Sequence, residues 1–193
     1  AQESRGLGDV YKRQVYKILI LCKITIFEVP MKTQMTIPYF TIDAPYELAY
    51  RNNGTSSPAR PHTHNALEIY LTMSDLPDVL VDDTVSSVSK GSLIIIPPHH
   101  VHQLFNQKLT IYERYVLNIN SDWLYTVLGA GSGLMPYADP AFSPAILRLS
   151  PTGLTGLCSQ LDHYLQLHPQ PSLSAYADFF SLLSILDLSL IHI

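Results

Sequence analysis

Charge is what this chain has least of: Asp, Glu, Lys and Arg together make up 15% of its 193 residues. What charge there is leans acidic, with a formal net of -4, and from Met31 onward 7 Lys and Arg stand against 13 Asp and Glu. That balance argues against gripping nucleic acid through this segment itself. Cysteine is nearly absent as well. Cys22 and Cys158 lie far apart with no C-x-x-C spacing, which excludes a disulfide framework and makes a reducing cytoplasm the expected compartment. No apolar run reaches the ~20 residues of a membrane span, so no membrane partner is expected. The glycine-rich stretch Gly129-Ala130-Gly131-Ser132-Gly133 lacks a following Gly-Lys-Ser/Thr and makes a poor phosphate cradle.

What is present is a set of histidines and one glutamate from two separated, strand-like stretches. In Pro61-His62-Thr63-His64 the two imidazoles stand at i and i+2, so an extended chain points both to one face. Glu68 follows four residues after His64 and shares that face if the strand stays regular. His102 comes from a second strand, after the apolar run Leu93 to Ile96 and the break Pro97-Pro98. Three imidazoles and a carboxylate suit a divalent transition metal better than magnesium or calcium. The same groups also hydrogen-bond the hydroxyls or carboxylate of an organic ligand, and spacing does not choose between the two. By contrast His99, His100, His163 and His168 read as solvated or hydrogen-bonded histidines without a ligand.

At these positions the sequence resembles the cupin family. His62-Thr63-His64-Asn65-Ala66-Leu67-Glu68 fits the centre of the first cupin motif, although Gly54 lies too far upstream and Asp75 stands where its last glycine belongs. Gly91, Pro97, His102 and Asn106 fall on the marks of the second motif, where His99 replaces the inner glycine. The match covers about residues 46 to 119. It implies a cupin-like double-stranded β-helix, a jelly-roll barrel, with the histidines and glutamate inside.

The order of elements agrees with a mainly β fold carrying C-terminal helices. Tyr46 to Arg51, Leu67 to Met73, Val79 to Asp82, Val85 to Ser89, Leu93 to Pro97, Gln103 to Asn106 and Leu109 to Asn118 are short stretches of strand-forming residues. Asn52-Asn53-Gly54 and Asp82-Asp83 supply turn chemistry between them. After them, Ser121 is expected to cap a short helix through Leu128, and Ala145 to Leu149 to form another strand. Ser150-Pro151 should open a helix with Leu154, Leu157, Leu161, Tyr164 and Leu165 at helical spacing. A last helix over about Leu173 to Leu188 carries an apolar stripe of Tyr176, Phe179, Phe180, Leu183 and Leu186. The stripe is wide enough for both internal packing and a homodimer contact.

The two ends read differently from the middle. Residues 1-30 look like a non-native leader: Gly8 to Gln14 resembles adaptor read-through, and Val15 to Val29 is interrupted by Lys17 and Lys23 with no cleavage site behind it. A natural start at Met31 or Met35 is expected, and residues 189-193 look like read-through again, so the natural protein is expected to continue beyond them. The credible chain then divides into a sensing barrel with an N-terminal arm at 31-119 and a helical dimerisation region at 120-188.

A cupin-like barrel followed by such helices looks like the N-terminal sensing and dimerisation region of AraC-type transcription regulators. The resemblance covers about residues 40 to 188. It implies an effector pocket at His62, His64, Glu68, Tyr70 and His102, with a small molecule such as a sugar as ligand and the last helices as the dimer contact. DNA would be met only through a helix-turn-helix domain that this sequence lacks. The competing expectation is a stand-alone metal-dependent cupin enzyme, an isomerase, dioxygenase or decarboxylase, with His62, His64, Glu68 and His102 as metal ligands.

Overall fold

The computed structural model describes residues 37–53, 60–105, 111–129, 131–168 and 172–191. Cys22, Gly54, Asn106, the start of the strand expected from Leu109 and the leader at 1-30 lie outside them. The chain is mostly β, with its helices after residue 120. Strands β1 (Tyr39–Phe40), β2 (Tyr46–Asn53), β3 (Thr63–His64), β4 (Ala66–Thr72), β5 (Asp78–Val81), β6 (Thr84–Ser86), β7 (Ser92–Ile96), β8 (His102–Phe105) and β9 (Tyr112–Asn120) come first. Helix α1 (Ser121–Val127), a 3-10 turn at Met135–Ala138, strand β10 (Ala145–Arg148) and helices α2 (Pro151–Leu167) and α3 (Leu173–Ile191) follow.

The strands form a five-stranded sheet in the order β10-β7-β4-β9-β2, a three-stranded sheet β6-β5-β8, and the parallel pair β1-β3. Among the described residues no ladder joins the two larger sheets, so the expected closed double-stranded β-helix is not what the hydrogen bonding shows. The sheets face one another instead across an apolar layer. Tyr70, Ile94, Ile96, Tyr112 and Val116 come from one side of it and Val79 and Leu104 from the other.

β4 is the central strand, and all seven of its residues are buried. Strand periodicity sends Ala66, Glu68, Tyr70 and Thr72 to the inner layer and Leu67, Ile69 and Leu71 to the outer face. The outer set packs with Leu93, Ile95, Tyr115, Leu117 and Ile119 of the neighbouring strands against α2 and α3. A strand covered on both faces reads as a continuous apolar run, which is why Glu68 and Tyr70 stand out in it. At its end the Thr72 hydroxyl donates to Ser89 O and accepts from Ser92 N, both at 2.9 Å, which ties β4 to the turn before β7. Gly91 occupies that turn with φ +80, a conformation that strains any side chain, and a Cβ there would also crowd Leu154 Cδ2 at 3.2 Å.

The helices begin where their capping chemistry dictates. Ser150 accepts from Gly153 N at 3.1 Å with Pro151 in the first turn, as the sequence indicates. For α1 the cap is Asn120 rather than Ser121. Asn120 Oδ1 accepts from Trp123 N at 3.0 Å while its amide donates to Ile42 O at 2.7 Å, so one side chain caps the helix and pins the segment before β2. Tyr46 at the start of β2 stacks flat on Phe179 of α3 and shares a 2.7 Å hydrogen bond with Tyr164 of α2.

The stripe expected to dimerise needs correction here. Phe179, Leu183 and Leu186 are enclosed in the chain's own core at 0–2% exposure, because α3 lies on the outer face of the sheet and turns this side toward it. Tyr176 is half-buried, edge-on to Tyr46, and Phe180 is exposed beside Trp123. Leu183→Asp should therefore act on folding, burying an unpaired charge at a cost of about 3–5 kcal/mol. Phe180→Asp, on the exposed side of α3, should lower the urea denaturation midpoint far less than Leu183→Asp, and urea titration of both variants compares them.

Candidate functional site

The chain brings His62, His64, Glu68 and His102 together, with one ligand-type atom from each lying within 4.8 Å of all the others. Two local features achieve this. Asn65 bends the chain between β3 and β4, its side-chain Oδ1 accepting from Ile42 N at 2.7 Å, so the regular strand assumed from spacing is broken although Glu68 still turns inward. His62 and His102 form an antiparallel backbone bridge, N–H to carbonyl in both directions at 3.1 and 3.0 Å, which places the second strand's histidine beside the first.

Backbone partners assign the ring tautomers. His62 Nδ1 lies 3.0 Å from Arg60 O and His102 Nδ1 lies 3.0 Å from His100 O; a carbonyl only accepts, so both Nδ1 atoms carry hydrogen. Nε2 is then the atom each ring offers to the cluster. His64 is set the other way: Ala66 N donates to its Nδ1 at 3.3 Å, and its Nε2 reaches Glu68 Oε2 at 3.3 Å as donor.

His102 Nε2 stands 2.7 Å from Glu68 Oε2, yet without the alignment of a hydrogen bond. Two lone pairs at that separation repel, so the arrangement calls for positive charge between or upon them. A proton is one answer. Burial disfavours a charged His102, but the Glu68 carboxylate outweighs it and holds the imidazole above its ordinary pKa. Burial likewise works against a charged Glu68, and His102 with His64 overcomes it, keeping the carboxyl well below the usual range. His62 is held low by burial and by the neighbouring His102 charge. Tyr70 stays a phenol, pushed well above its ordinary value by burial and by Glu68.

A divalent cation is the other answer, and the donor set fits it. The Nδ1–H bonds of His62 and His102 to backbone carbonyls are the outer support that metal-ligating histidines use. His64 would join through Nε2 on giving up its long contact with Ala66 N. Three nitrogens and one carboxylate oxygen, mostly buried, suit zinc, iron, manganese, nickel or copper.

The first described residues lie over this cluster. β1 pairs parallel with β3, Phe40 meets the His62 ring edge-on, and Tyr39 stacks on His99. Of the expected N-terminal arm the described part begins at residue 37, and in it the two-residue strand β1 lies beside the site. His99 itself has φ +66. The position where the second cupin motif has glycine therefore still adopts the glycine-favouring conformation, while Asp75, in the other departing position, does not.

Sequence reading missed other residues at the site. Asn118 lies directly opposite Glu68 across the β4–β9 ladder, on the same inner face, and its buried Oδ1 has no hydrogen-bond partner among the described residues. Arg114, further along that face, lies over the Tyr70 and Tyr112 rings. The even parity of 114 and 118 along β9 was available in the sequence; their partners on β4 were not.

No protein-family model matches the chain, and no curated protein matches it. Among solved structures it is similar to a Cupin 2 conserved barrel domain protein from Salinispora arenicola, at 20% identity over 47% of this chain and 76% of that one, with a TM-score of 0.37. It is similar to the plu4264 protein from Photorhabdus luminescens at 21% identity, over 44% of this chain and 71% of that one, with a TM-score of 0.38. ToxT from Vibrio cholerae, in its apo form, matches at 7% identity over 74% of this chain and 54% of its own, with a TM-score of 0.49. The chain thus spans about half the length of ToxT.

The left-handed backbone at His99 yields a stability ordering. His99→Val, with a branched side chain at positive φ, should lose about 1–3 kcal/mol. His99→Gly should match or exceed the parent by up to about 1 kcal/mol, the lost Tyr39 stacking offsetting part of the relieved strain. Thermal unfolding of the three proteins tests the order.

Proposed function

We propose that this chain is the small-molecule sensing and dimerisation region of an AraC-type transcription regulator, with the His62, His64, Glu68 and His102 cluster at its effector pocket. The observation that carries the reading is the two-sided use of β4: Glu68 and Tyr70 face the cluster, while Leu67, Ile69 and Leu71 between them pack against the layer that holds α2 and α3. A ligand that shifts β4 from within changes the support of the helices from without. Its effect equals its difference in affinity for the two arrangements, and a tenfold preference is ~1.4 kcal/mol. A polyhydroxy compound such as a sugar suits the carboxylate, phenol and imidazoles. The homodimer contact in this reading uses the exposed side of α3, around Phe180 and Trp123, and DNA is met by a helix-turn-helix domain of the intact regulator in the cytoplasm.

The donor set supports a second reading, a metal-dependent cupin enzyme such as an isomerase, dioxygenase or decarboxylase. A bound transition metal would supply Lewis-acid or oxygen-activating chemistry there, held by His62, His64, Glu68 and His102. In that reading Tyr70 and Asn118 orient a substrate's polar groups beside Glu68, and Phe40 with Tyr39 limits water at His62.

Metal analysis of the untagged chain separates the two. Near-stoichiometric transition metal, lost in His62→Ala/His64→Ala, favours the enzyme; a metal-free protein whose melting temperature rises with a sugar or other metabolite favours the sensor. His62→Ala/Glu68→Ala should abolish that thermal shift while the variant remains folded by circular dichroism, and an undiminished shift would place the effector elsewhere. Sedimentation velocity of Phe180→Asp tests the dimer face: the expected result is a monomer where the parent is a dimer.

A further inference from the structure

We propose that Asp82, on the turn between β5 and β6, is a positioning residue for His102, its carboxylate holding the His99–Val101 loop so that the His100 carbonyl keeps His102 Nε2 turned toward Glu68. The inference rests on the cluster as a ligand site, and within that site it adds a residue that touches none of the cluster's donor atoms.

Asp82 is one of two non-glycine residues with positive φ among the described residues, at 53°. A turn of this kind needs only a residue that tolerates the left-handed region, and asparagine or glycine would serve it. The turn alone does not account for where the side chain goes. Oδ1 accepts from Val101 N at 3.1 Å, Oδ2 meets His100 Nδ1 at 2.5 Å, and the Asp82 backbone N–H donates to Val101 O at 2.6 Å. Both carboxylate oxygens are thus committed to a loop about twenty positions along the chain. His100 is held from its other side as well, its Nε2 facing Pro140 O at 3.1 Å.

The loop so fixed ends in the atom that sets the His102 ring. His100 O takes the His102 Nδ1 hydrogen at 3.0 Å, and the same residue's backbone then enters β8 and the bridge to His62. A rotation of the His100 peptide would remove that acceptor and free the imidazole to flip or change tautomer, turning Nε2 away from Glu68. Outer partners of this sort typically contribute about 10–100-fold to metal affinity. The role differs from general hairpin stability, to which Ser87 also contributes through its 2.8 Å bond to Asp78.

Two readouts on the full chain test this. The first is solvent exchange of the His102 Nδ1 proton by NMR in chelator-treated protein, assigned by its loss in His102→Asn. The second is cobalt(II) affinity by optical titration. Asp82→Gly keeps the positive-φ turn and removes the carboxylate; it should lose the protected proton and bind cobalt(II) about 10–100-fold more weakly. Asp82→Asn retains an acceptor and should fall between Asp82→Gly and the parent, which keeps the test informative if the glycine variant folds poorly. Ser87→Ala should match the parent in both readouts. Parent-like exchange and affinity in the Asp82 variants, or equal losses in Ser87→Ala, would overturn the proposal. Failure of the parent to bind cobalt(II) would remove the metal reading of the cluster and leave the proton exchange to decide the role of Asp82.

Discussion

A carboxylate sealed inside the central strand is the constraint around which the rest is arranged. Glu68 sits in β4 with every neighbour along the strand buried, and an ionised group there costs several kcal/mol of solvation unless opposite charge and hydrogen-bond donors surround it. His102 and His64 supply them. Their arrival has structural consequences: β3 must break from β4 at Asn65, β8 must bridge to His62, and the loop before β8 must be clamped from outside by Asp82. Replacing such a cluster by apolar side chains of similar volume is often neutral or stabilising. Its presence therefore speaks for use.

The same strand makes the site consequential for the helices. Alternation along β4 sets a polar inner face back to back with an apolar outer face, and the outer residues share one core with Tyr115, Leu161, Phe179 and Leu186. Close-packed cores transmit displacement because they have little free volume to absorb it. On the other side of the cluster Phe40 of β1 meets the His62 ring edge-on.

Much of this was legible along the chain. Most of the strands, the helix starting at Ser150-Pro151 and the shared face of His62, His64 and Glu68 follow from short-range rules of alternation and capping, while the two-residue strands β1 and β3 carry no such signal. Other features were not. Ser121 reads as a cap as well as Asn120 does, and only the position of Ile42 gives Asn120 its second bond. Asp82 reads as a turn residue, because its partners His100 and Val101 lie on another loop. The stripe on α3 was visible as apolar, but which of its sides meets the sheet depends on how the helix is laid down.

The sequence by itself determined the period of each element, the inward parity of Glu68 and Tyr70, and the residue types able to hold a cation or a hydroxylated ligand. These depend on a residue and its close neighbours in the chain. Tertiary structure decided the register that puts Asn118 opposite Glu68, the enclosure of Phe179, Leu183 and Leu186, and the tautomers of His62, His64 and His102. Each of these depends on a partner brought near by folding, where packing geometry and the placement of a single carbonyl outweigh any local preference.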